Sequence, residues 1–141
     1  MNVVYSGNEH TPEFEISGTA TELVKLGFVL LDVTDVHFVK GSDYTCDVYP
    51  VTLDGLLFEI INDDAEVVDV KLENSMLCFA GSKIAIKKLG QGLINIFSEN
   101  PSDGRHIHYD YVGEGVSLLR KTNFSIIVIC REEKAKTHKL N

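Results

Sequence analysis

Phe14-Glu-Ile-Ser-Gly18-Thr-Ala-Thr-Glu-Leu-Val-Lys-Leu-Gly27-Phe-Val-Leu30 aligns without a gap on Leu77-Cys-Phe-Ala-Gly81-Ser-Lys-Ile-Ala-Ile-Lys-Lys-Leu-Gly90-Gln-Gly-Leu93. The offset of 63 residues makes identities of Gly18/Gly81, Lys25/Lys88, Leu26/Leu89, Gly27/Gly90 and Leu30/Leu93, and brings Asp47 onto Asp110. Each copy reads as a strand, a Gly-Thr or Gly-Ser break and a helix, with further strands behind. Self-similarity of this order points to an internal duplication, with halves at about 1–70 and 71–131 and a charged tail over 132–141.

Within each copy the signals are local. Glu13 to Ser17 alternates polar and apolar, as a strand with one buried face does. Thr19 or Thr21 is placed to cap a helix whose first turn holds Glu22, with Leu23, Leu26, Leu30 and Leu31 as its apolar stripe. The second helix runs from about Ser82 to Phe97, with Ile86, Leu89, Leu93 and Phe97 inward. A glycine inside a helix costs about 1 kcal/mol relative to alanine. Its recurrence at Gly27 and Gly90 predicts close packing of each helix on a sheet. Asp32 to Ser42 reads as a mixed connection, Tyr44 to Tyr49 as a strand stopped by Pro50, and Leu56 to Ile61 as a more apolar strand. Val67 to Leu72, Met76 to Ala80, Arg105 to Tyr111 and Phe124 to Cys130 follow as strands, with a turn-rich loop over 100–104. The tail from Arg131 is expected to fray. Strand-helix-strand-strand, repeated, predicts one α+β domain. Its architecture would be a two-layer sandwich, an approximately six-stranded and mainly antiparallel sheet with two helices on one face.

At 141 residues the chain is long enough for one sizeable core, and its apolar fraction of 44% argues against wholesale disorder. It offers no basic segment followed by an apolar run and no apolar stretch of membrane-spanning length, so a cytoplasmic protein without membrane contact is expected. Cys46, Cys78 and Cys130 lack ligand-like spacing and read as reduced thiols. The net charge of −8 is unevenly spread. Residues 1–70 hold fourteen acids and two bases, a balance of −12, whereas residues 71–141 hold seven acids and eleven bases, a balance of +4. Such a first half repels nucleic acid, which needs clustered Lys and Arg, and attracts a basic protein.

Among candidate chemistries, His106-Ile-His-Tyr-Asp110 is the sharpest. On a strand, His106, His108 and Asp110 share one face. His-x-His pairs bind metals in β-scaffolds, but no further ligand stands at suitable spacing, so a polar, solvent-facing strand is expected, with no metal and no cofactor. A small metal- or ligand-binding domain or enzyme built on those three residues is the alternative. Hydrolytic motifs are lacking, and the two Gly-Thr/Ser turns lack the Gly-x-x-x-x-Gly-Lys spacing of a phosphate loop. Tyr44, Tyr49, Tyr109 and Tyr111 lie near the acids, and tyrosines recur at interfaces.

The Gly81 to Phe97 opening, the His106 to Tyr111 strand and the closing Ser125 to Ile129 strand resemble an immunity protein family. Such proteins accompany the toxins of bacterial contact-dependent growth inhibition and polymorphic toxin systems. The resemblance covers roughly the second half, and the first half echoes it without the histidines. It implies a small, non-enzymatic cytoplasmic inhibitor of one cognate toxin domain, often a basic nuclease. On charge and strand placement, the expected contact residues are Asp43, Tyr44, Asp47, Tyr49, Asp54, Asp63 and Asp64, with His106, His108 and Asp110 as secondary candidates.

Overall fold

A computed structural model describes residues 1–99 and 102–132; Asn100, Pro101 and most of the charged tail lie outside the described residues. The elements are β1 (Asn2–Tyr5), β2 (Glu13–Gly18), α1 (Ala20–Asp32), β3 (Val36–Lys40), β4 (Val51–Thr52), β5 (Gly55–Ile60), β6 (Val68–Glu73), β7 (Met76–Gly81), α2 (Lys83–Ser98), β8 (His106–Asp110) and β9 (Ser125–Cys130).

The fold is α+β, but its strands form two mixed sheets packed together instead of a single sheet. One sheet has five strands in the order β4-β1-β2-β9-β8, the other four in the order β3-β5-β7-β6. The connectivity explains the difference. Hairpin β1–β2 lies in the five-stranded sheet, α1 carries the chain across, and β3–β5 lies in the four-stranded sheet; hairpin β6–β7, α2 and β8–β9 make the reverse crossing. Each half therefore places a hairpin in each sheet, and the halves meet as parallel pairs, β2 with β9 and β5 with β7. The registers correspond across the halves: Glu13 lies opposite Ser125 and Met76 opposite Gly55, while Gly18 lies opposite Cys130 and Gly81 opposite Ile60. In this correspondence the partner of the histidine strand β8 is β3. The Asp47/Asp110 match at the original offset joins a loop to a strand and has no structural meaning.

Because the helices bridge the two sheets, they pack chiefly on each other. A Cβ on Gly27 would lie 2.7 Å from the carbonyl oxygen of Gly90, and one on Gly90 would lie 2.6 Å from that of Gly27. The recurrent glycine thus permits helix–helix contact, and the expected helix–sheet contact is corrected. Both helices start as the sequence suggests. Thr19 Oγ1 accepts from the Glu22 amide and Glu22 Oε1 from the Thr19 amide, a reciprocal capping box, and Ser82 Oγ accepts from the Ala85 amide. The Thr19 amide chiefly, and the N-terminal ammonium, hold the Glu22 carboxyl below its usual pKa against the opposing effect of burial.

Leu23, Leu26 and Leu30 of α1 and Ile86, Leu89, Leu93 and Phe97 of α2 join Phe14, Ile16, Ile126 and Val128 of one sheet with Leu56, Phe58, Leu77 and Phe79 of the other in a single core. Phe58 and Phe79 stack with centroids 5.0 Å apart, as do Tyr5 and Phe14 at 4.8 Å. Glu73 and Met76 pair across a two-residue turn in which Asn74 (φ 53°) and Ser75 (φ 59°) are both left-handed, the mark of a type I′ hairpin.

Candidate functional site

Strand registers build the outer face of the five-stranded sheet row by row. Asp110, Ser125 and Glu13 form one row; His108, Ile127, Glu15, Val4 and Thr52 the next; His106, Ile129, Ser17 and Asn2 the third. The alternate residues Ile107, Tyr109, Ile126, Val128, Phe14 and Ile16 point into the core side. His106, His108 and Asp110 therefore share the outer face. The two imidazoles meet edge to face with centroids 5.1 Å apart, and His106 Nδ1 lies 2.9 Å from the Gly104 carbonyl oxygen. Among the described residues no group of three or more His, Cys, Asp or Glu side chains is arranged to hold a metal ion.

Residues 41–50, expected as a strand from Tyr44 to Tyr49, form a loop over the β1–β2 part of this face. Apart from Gly41 N to Asp54 O (2.8 Å) at the loop's root, their backbone bonds are local or to the chain start: Ser42 N to Met1 O (2.9 Å), Tyr44 N to Ser42 O (3.0 Å) and Cys46 N to Tyr49 O (3.3 Å). Ser42 Oγ also bonds Asn2 Oδ1, and Thr52 Oγ1 donates to Tyr44 O. The polar-aromatic alternation that mimicked a strand instead leaves Asp43, Thr45, Asp47 and Val48 exposed and Tyr44, Cys46 and Tyr49 half-buried.

The loop explains why β2 is buried on both sides, against the expectation of one buried face. Val4, Glu15 and Ser17 all point outward yet are buried. Glu15 Oε1 accepts from Arg131 at 2.7 Å, while Glu15 Oε2 is buried without a hydrogen-bond partner. Burial, then the nearby Glu13 and Glu15 carboxylates, push the Tyr49 phenol above its usual pKa. The first tail residues are anchored, contrary to the expected fraying at Arg131. Besides the Arg131–Glu15 pair, Glu132 Oε1 accepts from the Ala20 amide at 3.1 Å and from Cys130 Sγ at 3.1 Å. Burial chiefly, with that carboxylate, pushes the Cys130 thiol up to about 11.

One face thus gathers Glu13, Glu15, Asp43, Asp47 and Asp110, with Arg131 among them and Tyr44, Tyr49, His106 and His108 interspersed. Four of the seven expected contact residues, Asp43, Tyr44, Asp47 and Tyr49, come together here with the histidine-strand residues. Asp54 sits at the root of the loop, its carbonyl accepting from Gly41 N at 2.8 Å. Asp63 and Asp64 do not join them. They follow the far end of β5, about 20 Å from Asp54 at 3.3 Å per residue. There Asp63 Oδ2 pairs with Arg120 at 2.6 Å, and Asp69 pairs with the same guanidinium at 2.7 Å. Tyr109, grouped by sequence with the other tyrosines, is a core residue whose hydroxyl is buried without a partner. Glu15 escapes the sequence reading because a strand carboxylate looks solvated until its cover is known, and Glu13, which is exposed, joins the face only through the strand register.

Among the described residues no helix is long and apolar enough to cross a membrane. Comparison with models of known protein families, with curated proteins and with solved structures finds no match to this chain.

Proposed function

We propose that this chain is an immunity protein of a bacterial toxin system, a cytoplasmic, non-enzymatic inhibitor of one cognate toxin domain. The observation that carries the reading is the outer face of the five-stranded sheet, where Glu13, Glu15 and Asp110 share the strand rows, the adjoining 41–50 loop adds Asp43, Asp47, Tyr44 and Tyr49, and Arg131 pairs with Glu15. Such a surface suits a cationic protein whose active-site cleft itself binds phosphate, which is why a basic ribonuclease or deoxyribonuclease is the proposed target. Asp43 and Asp47 supply steering charge, Tyr44 and Tyr49 supply contact area at low entropic cost, and Asp110, His106 and His108 extend the surface along the sheet. Asp54 lies at its border. Asp63 and Asp64 stand apart, and Asp63 is already engaged by Arg120. The same negative surface disfavours direct binding of nucleic acid.

Co-expression with the C-terminal domain of the protein encoded immediately upstream tests this directly. That domain alone should arrest growth, and this chain should relieve the arrest. The double variant Asp43→Asn/Asp47→Asn should lower the association rate about tenfold at low salt and flatten its salt dependence. An upstream domain that is harmless, or toxic but indifferent to this chain, would remove the proposal.

A further inference from the structure

The four-stranded sheet has a second, independent surface on its β3 edge. Asp35 and Gly41 bracket β3, and both bond towards β5, through Ile60 N to Asp35 O (2.7 Å) and Gly41 N to Asp54 O (2.8 Å). Antiparallel ladders alternate inward and outward pairs, so His37 and Val39 also face β5 while Val36, Phe38 and Lys40 turn their N–H and C=O groups to the open edge. The side chains of these edge residues stand on the outer face, with Val36 54% and Phe38 48% exposed. The corresponding edge strand in the other sheet, β8, has the same backbone phase because Cys130 N bonds Arg105 O. It carries His106, His108 and Asp110 at these positions, polar groups of the kind that blunt a sheet edge. The β3 edge carries two exposed apolar residues beside Lys40, where the β8 edge carries only polar ones.

We infer that β3 is a self-association edge, pairing antiparallel with β3 of a second copy about a two-fold axis at Phe38. The five-residue strand is self-complementary about that centre. Phe38 meets Phe38 of the second copy, Val36 meets Lys40, and about six backbone hydrogen bonds close the edge. Charge supports the same register. Glu59 lies beside Val36 in the sheet, so Lys40 of the second copy stands two strands, about 10 Å, from Glu59, within reach of its extended side chain. Neither Lys40 nor Glu59 has an ion-pair partner among the described residues. The two-fold thus supplies each with one and covers two exposed apolar side chains. A strip this narrow buries less than the roughly 800 Å² per partner of a standard interface, so the dimer dissociates on dilution. It forms on a different sheet from the acidic face and leaves both copies of that face open.

Sedimentation velocity from about 10 µM to about 1 mM reads this out, since weak dimers dissociate across that range. The expected result is a concentration-dependent shift from the 15.7 kDa chain towards twice that mass. Phe38→Lys should abolish the shift, and Lys40→Glu should weaken it at least tenfold. Combining Lys40→Glu with Glu59→Lys should restore it, which a general folding defect would not do. In the same range, amide exchange of Phe38 and Lys40 should slow with concentration while that of His108 and Asp110 does not. A single 15.7 kDa species throughout, or self-association that survives both Phe38→Lys and Lys40→Glu, overturns the inference.

Discussion

Replacing Gly27 by alanine sets two effects of known sign against each other. Alanine is the better helix former by about 1 kcal/mol, so on an isolated helix the change would stabilise. In the fold, the new Cβ would sit 2.7 Å from the Gly90 carbonyl oxygen and 2.7 Å from Ile94 Cγ1. An ordinary contact needs at least 3.4 Å, so the helices must separate by about 0.7 Å. The obstruction is partly backbone and cannot rotate away. Separating them loosens Leu23, Leu26 and Leu30 against Ile86, Leu89 and Leu93; overpacking costs about 1–3 kcal/mol, and an obstruction that is partly backbone puts this case in the upper part of that range, about 2–3 kcal/mol. The steric cost wins, for a net loss of about 1–2 kcal/mol and a Tm lower by about 4–8 °C. Gly90→Ala, with its Cβ 2.6 Å from the Gly27 oxygen and 2.9 Å from Leu30 Cβ, should behave alike. Once one substitution has parted the helices the second meets less resistance, so the double variant should lose clearly less than the sum. Urea unfolding followed by circular dichroism measures all three. Single variants as stable as the parent, or strictly additive losses, would refute the crossing geometry.

Three further outcomes follow from local geometry. Arg131→Ala leaves the Glu15 carboxylate buried without its guanidinium and should cost about 3 kcal/mol, whereas Glu15→Gln combined with Arg131→Gln should cost less; urea midpoints compare them. Glu22→Gln should destabilise at neutral pH, because the folded carboxyl has a depressed pKa. Its contribution is present above the unfolded value of 4.5 and is lost as pH falls through the folded one, so parent and variant should converge in acid unfolding curves. Ser75→Gly relieves a left-handed residue in a type I′ turn and should raise the unfolding free energy by about 0.5–1 kcal/mol.

What the sequence reveals here follows from how local each determinant is. The caps at Thr19 and Ser82, the helical stripes and the apolar strands β5, β7 and β9 are written in spacings of a few residues, and they appear close to where expected. Strand β3 was hidden because Val36 and Phe38 lie on an exposed face, so its alternation lacks the usual buried-versus-polar contrast. Tyr44 to Tyr49 reads as a strand because Tyr44, Cys46 and Val48 alternate with Thr45 and Asp47, but the segment is a loop in which Tyr44, Cys46 and Tyr49 half-bury and Val48 is exposed. The division into two sheets rests on parallel pairing of β2 with β9 and of β5 with β7, contacts between distant segments that no local pattern specifies. Recurrence of Gly27 at Gly90 did signal a close approach, but not that each glycine is the other's neighbour. At the candidate site, the Asp and Tyr residues are legible from charge, while Glu15 is buried only once the fold is formed and Glu13 joins the face only through the strand register.

The most direct measurement is the association rate of this chain with the toxin domain proposed as its target, as a function of salt, for the parent and two double variants. Asp43→Asn/Asp47→Asn should slow association about tenfold and flatten the salt slope, and Asp63→Asn/Asp64→Asn should leave both nearly unchanged. The reverse order, or a rate that ignores salt and all four substitutions, would contradict an anionic docking face on the five-stranded sheet.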